Sequence, residues 1–277
     1  MNFIFFGDKK SPFAEIILQG LIKSELKPIA VFSNAKEQLD AEYLKSLCAD
    51  FFVVASFGKI LKKNIIDIPK KGIINVHPSL LPKYRGPSPI QSALLNYEKE
   101  TGITLFFIDE KIDHGQILAR EKMQIADGDN YTSLIKKLAG LSVEMLVKTL
   151  PMIMAGKIGP EPQNESSATY TKKFTTQDAF VDLEKDNPKE IWLKIRALNP
   201  EPGVYTILKL SAKGGSSSGG KNGKELRLKL LEAGFSSGGG FASGGKNAKL
   251  ELIKVHPEGK GPMLYSAFLN GYSKLLE

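Results

Sequence analysis

Hydrophobic residues fall in two rhythms along this chain. Short apolar runs recur through the first half: Asn2 to Phe6 closing at Gly7, Pro28 to Phe32, Phe51 to Ala55, Ile73 to Val76 and Ile103 to Ile108. Runs this short, bounded by turn residues, predict buried strands. Between them the spacing is helical. Ser11-Pro12 opens a helix to about Ser24, with Phe13, Ile16, Ile17 and Leu21 on one face. Asp40 caps a second helix to about Leu47, and Ser88 to Asn96 predicts another with Ile90, Ala93 and Leu94 inward. Ile117 to Ile125 alternates imperfectly, as a further strand. Asp129 or Asn130 caps a long helix whose stripe of Leu134, Leu138, Leu141, Met145 and Leu146 is most simply core packing. Strands alternating with helices predict an α/β fold: a Rossmann-like, open, mostly parallel sheet.

The rhythm breaks after residue 158. Gly159 to Thr176 is rich in Pro, Ser, Thr and Gln with little apolar periodicity and reads as a linker. The expected division is a first domain over 1–158, a linker over 159–176 and a second domain over 177–277. Pro188 to Leu198 is a capped helix with Ile191, Ile195 and Leu198 on one face. Strands then follow at Val204 to Leu210, Glu225 to Ala233 and Leu250 to Val255, separated by glycine-rich stretches at 214–220 and 236–245 that read as mobile hairpin loops. A last helix is expected from Met263 to Leu276. Strands joined this way suggest a small oligonucleotide-binding-like (OB-like) β-barrel.

Composition narrows the setting. With 277 residues and 25% charged side chains the chain is globular and long enough for two cores. A net charge of +8 allows a polyanionic partner such as RNA through phosphate contacts, although many proteins are this basic. The single cysteine, Cys48, rules out an internal disulfide framework, fits a cytoplasmic location and reads as a small buried side chain in a helix. No segment approaches about 18 consecutive apolar residues, so no membrane span is expected. The N-terminus reads as a first strand, not as a signal peptide.

Candidate chemistry gathers around Gly72 to Pro89. Asn75 and His77 alternate on one face of a strand, and Pro78 and Pro82 forbid a helix after it. Ligands in open α/β sheets bind at strand carboxyl ends. Asn75 and His77 lie at one such end, and Asp113 follows another. An imidazole backed by a carboxylate can move protons near neutral pH, and an adjacent amide can hold an oxyanion. Taken singly, His77 is most simply a loop cap and Asp113 a turn aspartate, and on composition Asp109 and Glu110 compete with Asp113. Ser79 sits between prolines without a nucleophile elbow, so one substrate must bring the nucleophile. Gly7-Asp-Lys-Lys10 carries no G-x-G-x-x-G, which argues against a dinucleotide site. His114 has no partner suggested by spacing and is expected to be exposed. His256 is expected to be structural.

The run Asn75-Val-His-Pro-Ser-Leu-Leu-Pro-Lys-Tyr-Arg-Gly86, followed by Ile112-Asp-His-Gly115, resembles the signature of the folate-dependent formyltransferases. Further pieces are similar to the branch that formylates methionyl-tRNA: Glu100-Thr-Gly-Ile-Thr104, Thr169-Tyr-Thr-Lys-Lys173, Ile195-Arg-Ala-Leu-Asn-Pro200 and Pro257-Glu-Gly-Lys260. They cover both expected domains in order. The resemblance implies a shortened formyltransferase fold, with Asn75, His77 and Asp113 as catalytic residues. It implies 10-formyltetrahydrofolate as formyl donor, with no metal, and methionyl initiator tRNA as acceptor, bound in part by the C-terminal domain. It places the folate along Ser79, Leu80, Leu81 and Pro82, with Ile60, Leu61, Ile108 and Ile112 enclosing the pterin. It calls for neither a membrane nor a protein partner. The chain departs from the family at Gly7 to Ala14, where the first turn is longer. It departs again after Val31, where the family's basic loop for the tRNA acceptor end is missing. Formyl transfer to another amine such as an amino-sugar nucleotide, hydrolysis of the formyl-folate, and a non-catalytic RNA-binding role stand as alternatives.

Overall fold

The structure, a computed structural model, describes residues 1–34, 36, 38–210, 224–236 and 249–272. The chain divides into two compact units. The first holds 1–93, 98–126 and 133–172, and the second 94–97, 127–132 and 173–277.

The first unit is built on a six-stranded sheet ordered β2-β1-β3-β4-β5-β6. These strands are β1 (Phe3–Phe6), β2 (Ala30–Phe32), β3 (Phe51–Val54), β4 (Ile73–His77), β5 (Glu100–Phe107) and β6 (Ile117–Gln124). The first four run parallel, while β5 and β6 are antiparallel to their neighbours. Every residue of β1 and β3 is buried, because both faces of the parallel part are covered. On one face Ile4, Phe6, Phe52 and Val54 form a core with Leu44, Phe57, Leu61 and Ile65. Helix α1 (Pro12–Lys23) starts at the Ser11 cap and α2 (Ala41–Ser46) at the Asp40 cap, each side chain accepting backbone N–H groups of the first turn. The short helices α3 (Lys63–Ile66) and α4 (Pro89–Leu95) and the long α5 (Tyr131–Met154) complete the set. Gly20 of α1 lies so close to Val143 of α5 that a Cβ there would sit 2.4 Å from the valine.

Several expectations change here. Cys48 lies just beyond α2 at φ +50 and is exposed, not buried in a helix. The stretch 159–172, expected as linker, counts with the first unit. Glu161 pairs with Ile117 and Tyr170 with Arg85 in β-bridges. Asp113 does not reach the site along a parallel strand. In β5, Phe107 lies opposite Ile74 and Thr104 opposite His77, so the carboxyl end of β5 is about 10 Å from His77. The 108–116 loop must fold back to bring Asp113 to the imidazole.

The second unit has a four-stranded antiparallel sheet ordered β10-β9-β8-β7. Its strands are β7 (Tyr205–Leu210), β8 (Lys224–Phe235), β9 (Leu250–Pro257) and β10 (Met263–Leu264). Register shifts near Leu230 and Glu232 bend the long β8, as coiled sheets require. Helix α6 (Pro188–Leu198), capped by Asn187, buries Ile191, Trp192, Ile195 and Leu198. Trp192 packs against Phe235, with the Arg196 guanidinium over its ring at 4.3 Å. The terminal segment opens with β10 and only then forms α7 (Tyr265–Tyr272), anchored by the fully buried Phe268. The glycine-rich stretches 214–220 and 237–245, and the last residues to Leu276, lie outside the described residues.

Candidate active site

A cavity of about 540 Å³ opens at the carboxyl ends of β3 and β4. Val54, Ser56 and Phe57 come from the end of β3, and Asn75, Val76, His77 and Pro78 from the end of β4. Gly86 and the 108–113 loop close its other sides. All three sequence-predicted catalytic residues line it. So do Ile60, Leu61, Ile108 and Ile112. Leu61 is buried, whereas Ile60 is 81% and Ile112 60% exposed. Two aliphatic side chains left in water at a cavity mouth give a flat apolar ligand something to cover.

Ser79, Leu80, Leu81 and Pro82 are not among the lining residues. Ser79 is buried and donates its hydroxyl to the Lys83 carbonyl at 2.7 Å. Leu81 packs with Phe106 and Ile117. Its N–H donates to Thr104 Oγ1 at 3.1 Å, and its carbonyl accepts from Arg120 at 2.9 Å. Thr104 in turn donates to the Ser79 carbonyl at 2.7 Å. The turn is therefore held from below, and it sets the position of Lys83 to Gly86.

That segment contacts both His77 and Asp113. His77 is 5% exposed, and its Nε2 lies 2.9 Å from the Tyr84 carbonyl. A carbonyl only accepts, so Nε2 carries a hydrogen. Nδ1 is then the nitrogen left to face Asp113, whose Oδ2 is 3.7 Å away. In the neutral ring Nδ1 is an acceptor. In the imidazolium it carries a proton beside a carboxylate. Asp113 Oδ2 also accepts the Gly86 N–H at 2.7 Å. Gly86 has φ +105, and a Cβ on it would lie 2.9 Å from Thr171 Oγ1, so only glycine fits.

The competing acids separate cleanly. Asp109 also lines the cavity, but its Oδ2 is 2.6 Å from His114 Nδ1 and its Oδ1 accepts the Lys111 N–H. His114 is thus partnered, contrary to expectation, and its Nε2 lies 3.6 Å from Glu165. Glu110 is exposed. Asp113 is the acid next to His77. His256 faces the Lys260 carbonyl at 2.7 Å, a structural role as expected.

Sequence reasoning missed the buried centre behind the site. Arg85 is fully buried, and all five of its N–H donors are used. Nε and one Nη2 hydrogen go to Gln163, two bonds go to the Glu165 carboxylate, and one goes to the Tyr170 hydroxyl. Glu165 Oε1 is 2.6 Å from Arg85, which holds the Glu165 carboxyl below its usual range. The only signal for this in the sequence was an arginine inside the motif. Its partners lie about eighty residues away, in a stretch without periodicity.

Two family descriptions match the chain: Formyl transferase over residues 25–150, and Formyl transferase, C-terminal domain, over 173–273. A methionyl-tRNA formyltransferase of Dictyoglomus turgidum is 40% identical over 254 residues, 89% of this chain and 80% of that protein. One from Kosmotoga olearia is 45% identical over 193 residues, 70% of this chain; the match spans 57% of that relative's length. Among solved structures, a methionyl-tRNA formyltransferase from Clostridium thermocellum superposes with TM-score 0.63 at 20% identity, over 91% of this chain and 99% of that one. With the two-unit architecture and the strand-end cavity, these matches establish that the chain belongs to the methionyl-tRNA formyltransferase family.

Proposed function

We propose that this protein transfers the formyl group of 10-formyltetrahydrofolate to the α-amino group of methionine esterified to initiator tRNA. The observation that carries this reading is the convergence of Asn75, His77 and Asp113 on one cavity with apolar walls. The match of 173–273 to the formyl transferase C-terminal domain supports tRNA as the acceptor's carrier, bound in part by the second unit. At about 540 Å³ the cavity suits a small heterocycle. Leu61 and Ile108 would form its walls, with Ile60 and Ile112 folding over it.

In the reaction the amine nitrogen attacks the formyl carbon, and the carbonyl π electrons move to oxygen. The carbon–N10 bond then breaks, and N10 of the folate takes up the proton that the amine has lost. Two residues of this chain hold the oxyanion. Asn75 offers its amide N–H, and His77 offers Nδ1–H when its ring is protonated. Asp113 stays ionised and stabilises that positive ring, which forms as Nδ1 takes the proton of the attacking amine and later yields it to N10. The Tyr84 carbonyl keeps His77 in the tautomer this requires. No side chain serves as nucleophile.

The test is formylation of methionyl-tRNA by purified protein with 10-formyltetrahydrofolate, with an amino-sugar nucleotide as competitor. Transfer to the tRNA is expected, lost by about a thousandfold in His77→Ala while tRNA binding persists. Folate binding without transfer to methionyl-tRNA would give the acceptor role to another amine. Undiminished turnover in His77→Ala would remove His77 from the mechanism.

A further inference from the structure

We propose that Gln163 is a positioning residue for Asp113, using the buried Arg85 as its anchor. This rests on the catalytic role of Asp113 proposed above. The carboxamide of Gln163 is used on both sides. Its Nε2 donates to the Asp113 carbonyl at 2.9 Å and to the Gly115 carbonyl at 2.8 Å. Its Oε1 accepts from Arg85 Nε at 3.2 Å and Nη2 at 2.8 Å. A guanidinium can only donate and carbonyls can only accept, so the amide has one workable orientation.

The turn it grips carries a backbone conformation that most residues avoid. Asp113 has φ +48, in the left-handed region, which aspartate tolerates better than most side chains but which favours glycine. The 108–116 loop starts from the wrong end of β4 and must fold back to bring the carboxylate to His77. Gln163 supplies two donors to the backbone on either side of His114, fixing the direction in which the Asp113 side chain leaves the chain. Arg85 fixes Gln163. Its own backbone is bound by Thr169 and Thr171, with the Arg85 N–H donating to the Thr169 carbonyl at 2.8 Å and the Thr171 N–H donating to the Arg85 carbonyl at 2.7 Å.

Arg85 also stands between the two residues that bind the catalytic pair directly. Tyr84 accepts from His77, and the Gly86 N–H donates to Asp113. The segment 163–171 therefore references the imidazole and the carboxylate to one buried guanidinium. The His77–Asp113 separation of 3.7 Å is set by this frame and not by a direct hydrogen bond.

Gln163→Glu keeps an acceptor for Arg85 but sets a carboxylate against two carbonyl oxygens. Gln163→Met keeps the volume and removes all four bonds. Each is expected to lower single-turnover formyl transfer by about thirtyfold or more, with KM for the folate close to wild type and a thermal midpoint that falls but leaves the protein folded at the assay temperature. The decisive measurement is a double-mutant cycle with Asp113→Asn. If Gln163 acts through Asp113, its substitution costs less than about threefold more in the Asp113→Asn background. Multiplying effects, wild-type transfer in both Gln163 variants, or loss of fold in both would each overturn the proposal. If Asp113→Asn alone were as active as wild type, the underlying mechanism would fall instead.

Discussion

Replacing Asp113 by asparagine isolates a charge while preserving a shape. The new side-chain oxygen can still accept the Gly86 N–H that Oδ2 now accepts at 2.7 Å. What disappears is a negative charge 3.7 Å from His77 Nδ1. At that separation a unit pair is worth about 4–5 kcal/mol with an effective dielectric near 20, and about 1 kcal/mol in bulk water. The His77 side chain is 6% and the Asp113 side chain 16% exposed, which puts the site nearer the first case. An imidazolium that forms only as the oxyanion develops would lose most of that stabilisation. The expected fall in single-turnover transfer, with enzyme in excess so that product release does not intrude, is about a hundred- to a thousandfold. Folding stability should change by less than about 1 kcal/mol, because the backbone hydrogen bond survives. A variant that folds normally and transfers within about threefold of wild type would refute the idea that the carboxylate acts through the charged ring.

Three further outcomes follow from the same geometry. Thr104→Val removes a fully buried hydroxyl that serves both Leu81 N–H and the Ser79 carbonyl. Leaving both orphaned should lower stability in urea unfolding by about 2–6 kcal/mol, and a change below about 0.5 kcal/mol would mean that the hydroxyl does not hold the turn. Gly115→Ala would put a Cβ 1.7 Å from the Phe107 carbonyl oxygen, so backbone must move; a loss of about 3 kcal/mol or more is expected by the same assay. The Glu165 carboxyl lies below its usual 4.5, chiefly because Arg85 donates hydrogen bonds to it. A depressed acid contributes stability that is complete above about pH 4.5 and is lost as pH falls through the lower, folded value. The difference in thermal midpoint between wild type and Glu165→Gln should accordingly shrink between about pH 6 and about pH 3; a constant difference would contradict the linkage.

Much of this protein was legible before any coordinates. The apolar runs of β1, β3 and β4 and the capped starts of α1, α2 and α6 follow from local rules: burial period, proline at the first turn, and a side chain that can accept orphan N–H groups. Asn75 and His77 were legible because the spacing of two along a strand is fixed by covalent geometry. Asp113 was singled out from Asp109 and Glu110 only by the motif resemblance, since all three acids lie in one loop and composition does not separate them. The fold shows which of them stands beside His77. Antiparallel β5 delivers the loop to the far end of β4, Gln163 and Gly86 turn Asp113 back to His77, and His114 takes Asp109. The stretch 159–172 looked like a linker because its bonds run to Arg85, Asp113 and Gly115, far off in sequence, and leave no periodic trace. The sequence by itself determined the strands, the helix starts and the strand-borne half of the site. Only the tertiary structure showed how Asp113 is carried to His77 and that a buried arginine frames it, because long-range hydrogen bonds depend on position in space and not on spacing along the chain.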